Sequence, residues 1–358
     1  MSNDNNNMKK YPNYPLYTLH KSRKTSPTPY LTKVVHSTSY DPWFNLALEE
    51  SLLNQLAPHE IILYLWQNQT TVVIGRNQNA WKECAWEQLE KNRGKLARRL
   101  SGGGAVFHDL GNLNFTFILS QEYYDLEKQL SVILEALKSN NIQAEFSGRN
   151  DLLLNGKKFS GHAYYFRNQA ALHHGTILVH SDLDNLSLYL KPSPKKILSK
   201  GIDSVRSRVV NLTDINENIT IMQIMKSLEK SFASSYCRPD TFITYGEADK
   251  SSFLKLYEKY SSWEWQFGAS PRFDLSFCER FPWGEIEFGF RLKNGIISAC
   301  TLYSDAMDET LIRTIAQQFI GLPLNKQKLI KALFSLQNTE NEYLINDLSS
   351  YISQEQSF

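Results

Sequence analysis

Arg98-Arg99-Leu100-Ser101-Gly102-Gly103-Gly104-Ala105-Val106-Phe107-His108-Asp109 sets a basic pair, three consecutive glycines and a short apolar stretch in one run. Its flanks decide how it folds. Upstream, Ile61 to Trp66 and Thr71 to Ile74 are β-type runs separated by polar Gln67-Asn68-Gln69 and closed by Gly75, which predicts two adjacent antiparallel strands. Downstream, Leu113, Phe115 and Phe117 alternate with polar partners, so another strand follows. A glycine-rich loop set between strands can bring its N–H groups close to an anion, and arginine supplies permanently charged, bidentate donors. The loop therefore reads as a phosphate cradle, against the plainer alternative of a flexible hairpin with a solvated basic edge. It is not Gly-x-x-x-x-Gly-Lys-Ser/Thr or Gly-x-Gly-x-x-Gly, which argues against a Walker-type ATPase and a Rossmann dehydrogenase.

Working outward, Asp41-Pro42 pairs an N-cap residue with proline in the first helical turn, and Phe44, Leu48, Leu52 and Leu56 continue at helical spacing. This predicts a buried amphipathic helix. A polar helical stretch is expected around Trp81 to Asn92 and another helix over Leu126 to Lys138. Asp151 to Leu154 then meets Asn155-Gly156, a strong hairpin signal, which puts Lys158 just past a tight turn. Lys158 could aim its ammonium into a cleft or stand in water, as neighbouring Lys157 is read to do. Ser147-Gly148-Arg149-Asn150-Asp151 could line the same cleft, with Asp151 a candidate Mg²⁺ ligand or simply a strand cap paired with Arg149. His173-His174 lacks a third ligand at sensible spacing and is read as structural. Arg206 and Arg208 fall on one face of an extended segment, as a second anion contact or a paired surface strand.

Gly175 to Val179 reads as a strand, and Thr220 with Gln223 forms a capping box ahead of Ile224, Leu228 and Phe232. The pattern changes between Tyr245 and Trp265. Short strands over Glu285 to Leu292 and Ile296 to Tyr303 precede helical runs over Leu311 to Phe319, Lys326 to Phe334 and Glu342 to Tyr351. The expected organisation is a flexible polar tail over 1–33, a large α/β unit over 34–252 and a small α+β unit over 253–358.

The 358 residues carry a formal charge of +2 with 42% hydrophobic residues, so no broad basic field marks a nucleic-acid binder. No apolar run approaches the roughly 20 residues of a membrane span, and no membrane association is expected. Cys84, Cys237, Cys278 and Cys300 are widely spaced, which suits a reducing compartment better than a disulfide framework or zinc site. The acid-poor tail has one arginine and four prolines, a poor match to an amphipathic transit peptide. The cytoplasm is the expected location, with mitochondria the alternative if the tail directs import.

Taken in order, Ser39 to Ala47, Gly75 to Asn79, Arg98 to Gly111, Ser147 to Asp151, Lys158 to Ala163, His173 to Thr176 and Lys200 to Leu212 resemble the bacterial two-domain lipoate-protein ligases. Looser agreement follows at Ser261 to Trp265 and Phe281 to Gly284. The resemblance implies a large catalytic domain of the biotin/lipoate ligase type and a small C-terminal accessory domain. It implies ATP binding by Arg99, Gly104, Ala105, Val106, Phe107 and Lys158, and contact of Lys158 with the lipoyl carboxylate. Asn150 and Asp151 match a metal-proximal pair, for Mg²⁺. The implied reaction is lipoate activation to lipoyl-AMP and transfer to a lysine of apo lipoyl domains in 2-oxoacid dehydrogenase complexes and the glycine-cleavage H protein. Competing readings are a transferase using preformed lipoyl-AMP, an ATP-independent octanoyl or lipoyl transferase with a reactive cysteine, a biotin-protein ligase and a non-catalytic nucleotide-binding module. Departures from the bacterial pattern are Leu100 in place of the frequent Ser, a short loop before Lys158 and the extra tail.

Overall fold

The computed structural model describes residues 30–147, 151–191, 209–267, 275–293 and 295–355. Their elements run β1 (Leu31–Ser37), α1 (Pro42–Asn54), β2 (Glu60–Trp66), β3 (Thr71–Ile74), α2 (Ala80–Glu83), α3 (Trp86–Lys91), β4 (Lys95–Arg98), β5 (Val106–His108) and β6 (Asn112–Ser120). Then come α4 (Leu126–Lys138), β7 (Glu145–Phe146), β8 (Asp151–Leu154), β9 (Lys157–Arg167), β10 (Ala170–Leu178), α5 (Leu183–Tyr189), α6 (Ile221–Ser235) and β11 (Thr241–Tyr245). Last are α7 (Leu254–Ser261), α8 (Trp263–Gln266), β12 (Leu275–Phe281), β13 (Gly284–Lys293), β14 (Ile296–Ser304), α9 (Glu309–Phe319), α10 (Lys326–Phe334) and α11 (Glu342–Gln354).

Local signals set several of these boundaries. The Asp41 carboxylate accepts from Trp43 N–H with Pro42 in the first turn of α1, and Thr220 and Gln223 cap α6 reciprocally. The strand β1 starts inside the expected tail, because Leu31 pairs with Glu60 and Thr32 N–H donates to Asp240. α1 is not amphipathic: Glu49 and Glu50 are as buried as Leu48 and Leu52. Its outer face is covered by α7, where Tyr260 and Lys259 both reach Glu50.

The large unit is layered. An eight-stranded mixed sheet runs β11-β1-β2-β6-β10-β9-β8-β7, and a three-stranded sheet runs β4-β3-β5. β2 and β3 therefore belong to different sheets and are not the adjacent pair that the sequence suggests. The intervening Asn68 is buried and bonded to Asn45 and His108, so this segment is a tether between layers and not a hairpin turn. One face of the large sheet packs Phe115, Phe117 and Leu63 against Ile133, Leu228 and Phe232 of α4 and α6. The other face packs Ile62, Tyr64 and Trp66 against α1, α7 and the small sheet. Burial of such side chains, at roughly 25 cal/mol per Å², is the main favourable term holding the layers together.

The accessory unit is an antiparallel β12-β13-β14 sheet covered by α9, α10 and α11 around Phe288, Phe290, Ile315 and Ile345. Phe253, Tyr260 and Trp265 pack with Phe44 in the large unit, so by packing the division falls between Phe267 and Leu275, later than the 252/253 expected from sequence. No helix among the described residues is long and apolar enough to cross a membrane.

Candidate active site

Strand register lays a row of residues across the face of the large sheet that looks toward the small sheet. Asp151 on β8 lies opposite Gly161 on β9, Thr176 on β10 opposite Asn114 on β6, and Asn114 opposite Trp66 on β2. Gly161 N–H donates to Thr176 Oγ1 at 3.2 Å and completes the row. Three strand spacings separate Gly161 from Trp66, about 14 Å. Leu46 of α1, Val73 of β3 and the glycine-rich loop between β4 and β5 roof this floor. The cleft between them, open solvent at its mouth included, has about 610 Å³ of non-atom space.

Lys158 stands at one end. Asn155 and Gly156 have φ of 50° and 74°, the left-handed pair that a tight hairpin turn requires. A register shift between Leu152 and Leu153 then turns Lys158 onto the face shared by Asp151 and Gly161. Its Nζ lies 2.7 Å from Asp151 Oδ1, an ion pair about one-third exposed. A Cβ on Gly161 would sit 2.7 Å from that Nζ and 2.8 Å from Cε, so the bare glycine gives the lysine its track over the strand.

The glycine-rich loop faces Lys158 across the cleft, but its two arginines divide. Arg98 ends β4 and Arg99, whose N–H still pairs with Ile74 O, follows in the same extended course, so the two point to opposite sides. Arg98 turns away from the cleft and donates to carbonyls of Gly75, Arg76, Gln78, Trp265 and Gln266. It ties α8 to the turn after β3 and takes no part in the phosphate cradle proposed from the sequence. Arg99 lies under the loop, where Nη2 donates to Gly102 O at 2.7 Å and Gly104 O at 2.8 Å and Nε to Ser101 Oγ at 3.0 Å. Burial lowers it to about 10, partly offset by Glu49. In this arrangement Arg99 shapes the loop. Gly103 has φ of 86°, whereas a Cβ on Gly104 would meet open space, so the loop turns at Gly103 and presents Gly104 to the cleft. Ala105 and Val106 also line the cleft. The side chain of Phe107 does not; it packs on Tyr189 with ring centroids 5.4 Å apart.

The family described as the lipoyl protein ligase A/B catalytic domain matches residues 41–233, and the bacterial lipoate protein ligase C-terminus matches residues 270–350. The chain belongs to the lipoate-protein ligase family. A lipoate-protein ligase A of Blochmanniella pennsylvanica is 41% identical over 306 residues, covering 83% of this chain and 90% of the relative. The LipL1 protein of P. falciparum, solved in complex with lipoate, has 32% identity and a TM-score of 0.79, covering 90% of this chain and all of that one. A lipoate-protein ligase A solved with bound ATP has 29% identity and a TM-score of 0.57, covering 67% of this chain and 99% of that one.

In this ligase the sheet also buries histidines that sequence reading undervalued. Asn45 Nδ2 lies within hydrogen-bonding distance of Ser39 O, Gln67 O and Asn68 Oδ1, and Asn68 Nδ2 lies 3.1 Å from His108 Nδ1. Burial, then Arg99 and His174, push the His108 pKa down to about 3. His162 bonds His173 at 2.8 Å and Ser160 at 3.1 Å. Burial, then Lys158 and His174, push His162 to about 3 as well. His173 is buried and also bonds Gln129 Oε1 at 2.7 Å. Its neighbour His174 lines the cleft.

Among the described residues no group of three His, Cys, Asp or Glu side chains is placed to hold a metal. Asp151 offers one carboxylate beside Lys158, which fits a Mg²⁺ taking most of its ligands from phosphates and water. Arg149, Asn150, Arg206 and Arg208 lie outside the described residues. Val209 forms a bridge to Lys158, and Val210 N–H donates to Lys158 O at 3.0 Å, so the segment that follows those arginines returns beside the lysine.

Proposed function

We propose that this ligase activates lipoate with ATP and transfers the lipoyl group to a lysine of apo lipoyl domains in 2-oxoacid dehydrogenase complexes and of the glycine-cleavage H protein. The observation that carries the reading is the placement of Lys158 opposite Gly104, the open residue of the glycine loop, at one end of a cleft whose other end is walled by Trp66. The lysine would receive the lipoate carboxylate and the α-phosphate of ATP, while the acyl chain runs across the sheet toward Trp66.

A carboxylate oxygen attacks the α-phosphorus and pyrophosphate leaves, giving lipoyl-AMP. The Lys158 ammonium and the loop N–H groups, with Gly104, Ala105, Val106 and the backbone of Phe107 around the nucleotide, offset charge developing on the phosphate. Arg99 serves by holding the loop in shape. Asp151 would hold Mg²⁺, which supplies charge neutralisation on the phosphates. The acceptor amine then attacks the adenylate carbonyl, AMP leaves and the amine proton passes to solvent. Family membership and the ATP-bound relative support this sequence of steps.

The cysteine-dependent transferase has little support. None of the four cysteines lines the cleft, and burial pushes the Cys84 and Cys300 thiols up to about 12. The cysteines suit a reducing compartment such as the cytoplasm. Lipoate-dependent exchange of labelled pyrophosphate into ATP, followed by mass spectrometry of an apo lipoyl domain, tests the function. Exchange with acceptor modification is the expected result. Modification only when lipoyl-AMP is supplied would reduce the chain to a transferase. Lys158→Met should lower exchange at least about 100-fold, the scale set by losing one charge-stabilising donor; normal exchange by a folded variant would refute its role.

A further inference from the structure

Both walls of the cleft are tied to one buried carboxylate that the mechanism above does not use. Glu49 on α1 is fully buried, directly over the cross-strand pair His174 and Thr116. His174 Nδ1 lies 2.9 Å from Glu49 Oε1, and Thr116 Oγ1 lies 2.7 Å from the same oxygen. A carboxylate can only accept, so both partners donate. His174 Nε2 pairs with Ser101 Oγ at 2.7 Å, and Ser101 Oγ accepts from Arg99 Nε–H at 3.0 Å. On the other side Thr116 has given its proton to Glu49, so its oxygen accepts from Trp66 Nε1–H at 3.1 Å. Two hydrogen-bonded chains therefore converge on Glu49 Oε1, one from the arginine that shapes the glycine loop and one from the tryptophan that ends the cleft.

We infer that Glu49 is a positioning residue for both substrates, holding the nucleotide loop through His174, Ser101 and Arg99 and the acyl wall through Thr116 and Trp66. The inference rests on the adenylation reading for its nucleotide arm only. Ser101, His174 and Glu49 also have the order of a nucleophile, base and acid. Ser101 is fully buried and its oxygen already accepts from Arg99, so it acts as a link in the chain and not as a nucleophile. Burying a carboxylate is costly unless it is well bonded, and Glu49 Oε2 has no hydrogen-bond partner among the described residues. The partners of Oε1 and the nearby Arg99 charge offset that cost.

The two arms predict different losses. Ser101→Ala cuts only the nucleotide arm and Thr116→Val only the acyl arm, each with little change in volume. By calorimetry Ser101→Ala should weaken binding of a non-hydrolysable ATP analogue roughly tenfold and leave lipoate within twofold. Thr116→Val should show the reverse. Glu49→Ala should weaken both, and adding Ser101→Ala to it should cost the nucleotide nothing further, because one chain is already broken. If Glu49→Ala does not fold, Glu49→Gln tests the charge with one accepting oxygen kept, and should show smaller losses of both ligands. Leu228→Ala, in the core between the sheet and α6, is the control for lowered stability without loss of affinity. The inference is overturned if the variants lower melting temperature while both affinities stay normal. It is overturned equally if each single-arm variant weakens both ligands alike, or if Ser101 reacts with a fluorophosphonate probe. Failure of the unmodified enzyme to bind the nucleotide analogue would count against adenylation, while the lipoate data would still decide the acyl arm.

Discussion

Replacing Gly161 by alanine should disable the site without harming the fold. Gly161 lies in β9, where an alanine costs no backbone strain, and removing glycine from a strand interior lowers the entropy lost on folding. The new Cβ would stand 2.7 Å from Lys158 Nζ and 2.8 Å from Cε, against an ordinary contact of 3.4–4 Å. The flexible end of the lysine must retreat by about 1 Å, and an error of that size in a positioned catalytic group can cost about 100-fold. The ion pair to Asp151 would shift with it. Pyrophosphate exchange at saturating lipoate and ATP should therefore fall on the order of 100-fold, while the melting temperature stays level or rises slightly. A thermal melt beside the exchange assay separates the two effects. Wild-type exchange in the well-folded variant would show that the present position of the ammonium is irrelevant to activation. A large drop in melting temperature would show that the glycine is needed for packing, which the geometry does not support.

Other outcomes follow from the same contacts. At Gly75 an added Cβ would sit 2.2 Å from the backbone oxygen of Gly103; Gly75→Ala should cost about 1–3 kcal/mol in urea unfolding and raise KM for ATP. Arg98→Lys should cost about 2–4 kcal/mol, since an ammonium cannot span both carbonyl sets that the guanidinium bridges, and unchanged stability would contradict that tie. Burial pushes the pKa values of His108 and His162 from the ordinary 6.5 down to about 3. The unfolded chain takes up their protons first, so their contribution is present above 6.5 and is lost as pH falls toward 3, at about 1.4 kcal/mol per unit per histidine. His162→Asn should lessen the slope of stability against pH below 6.5 by that amount, and an unchanged slope would mean that His162 titrates freely in the folded enzyme.

How much of this was legible in the sequence depended on the range of the physics. Asp41-Pro42, Asn155-Gly156 and Thr220 with Gln223 act within a few residues, and each produced the expected cap or turn. The division of Arg98 from Arg99 was also available, since neighbours on a strand must face opposite ways; reading them as one basic pair overlooked the two-residue period. The separation of β2 from β3 was harder, because Gln67-Asn68-Gln69 has the composition of a solvated turn and only Asn45 and His108, distant in sequence, make Asn68 a buried tether. Glu49 was hardest of all. Two acids in the apolar run Phe44 to Leu53 look like the wet side of an amphipathic helix, and only tertiary packing turns both inward. Yet a buried acid must have donor partners supplied from elsewhere in the fold. For Glu49 those partners come from β6 and β10, the two central strands of the cleft floor, so the residue least readable from local pattern is the one that touches the supports of both substrate walls.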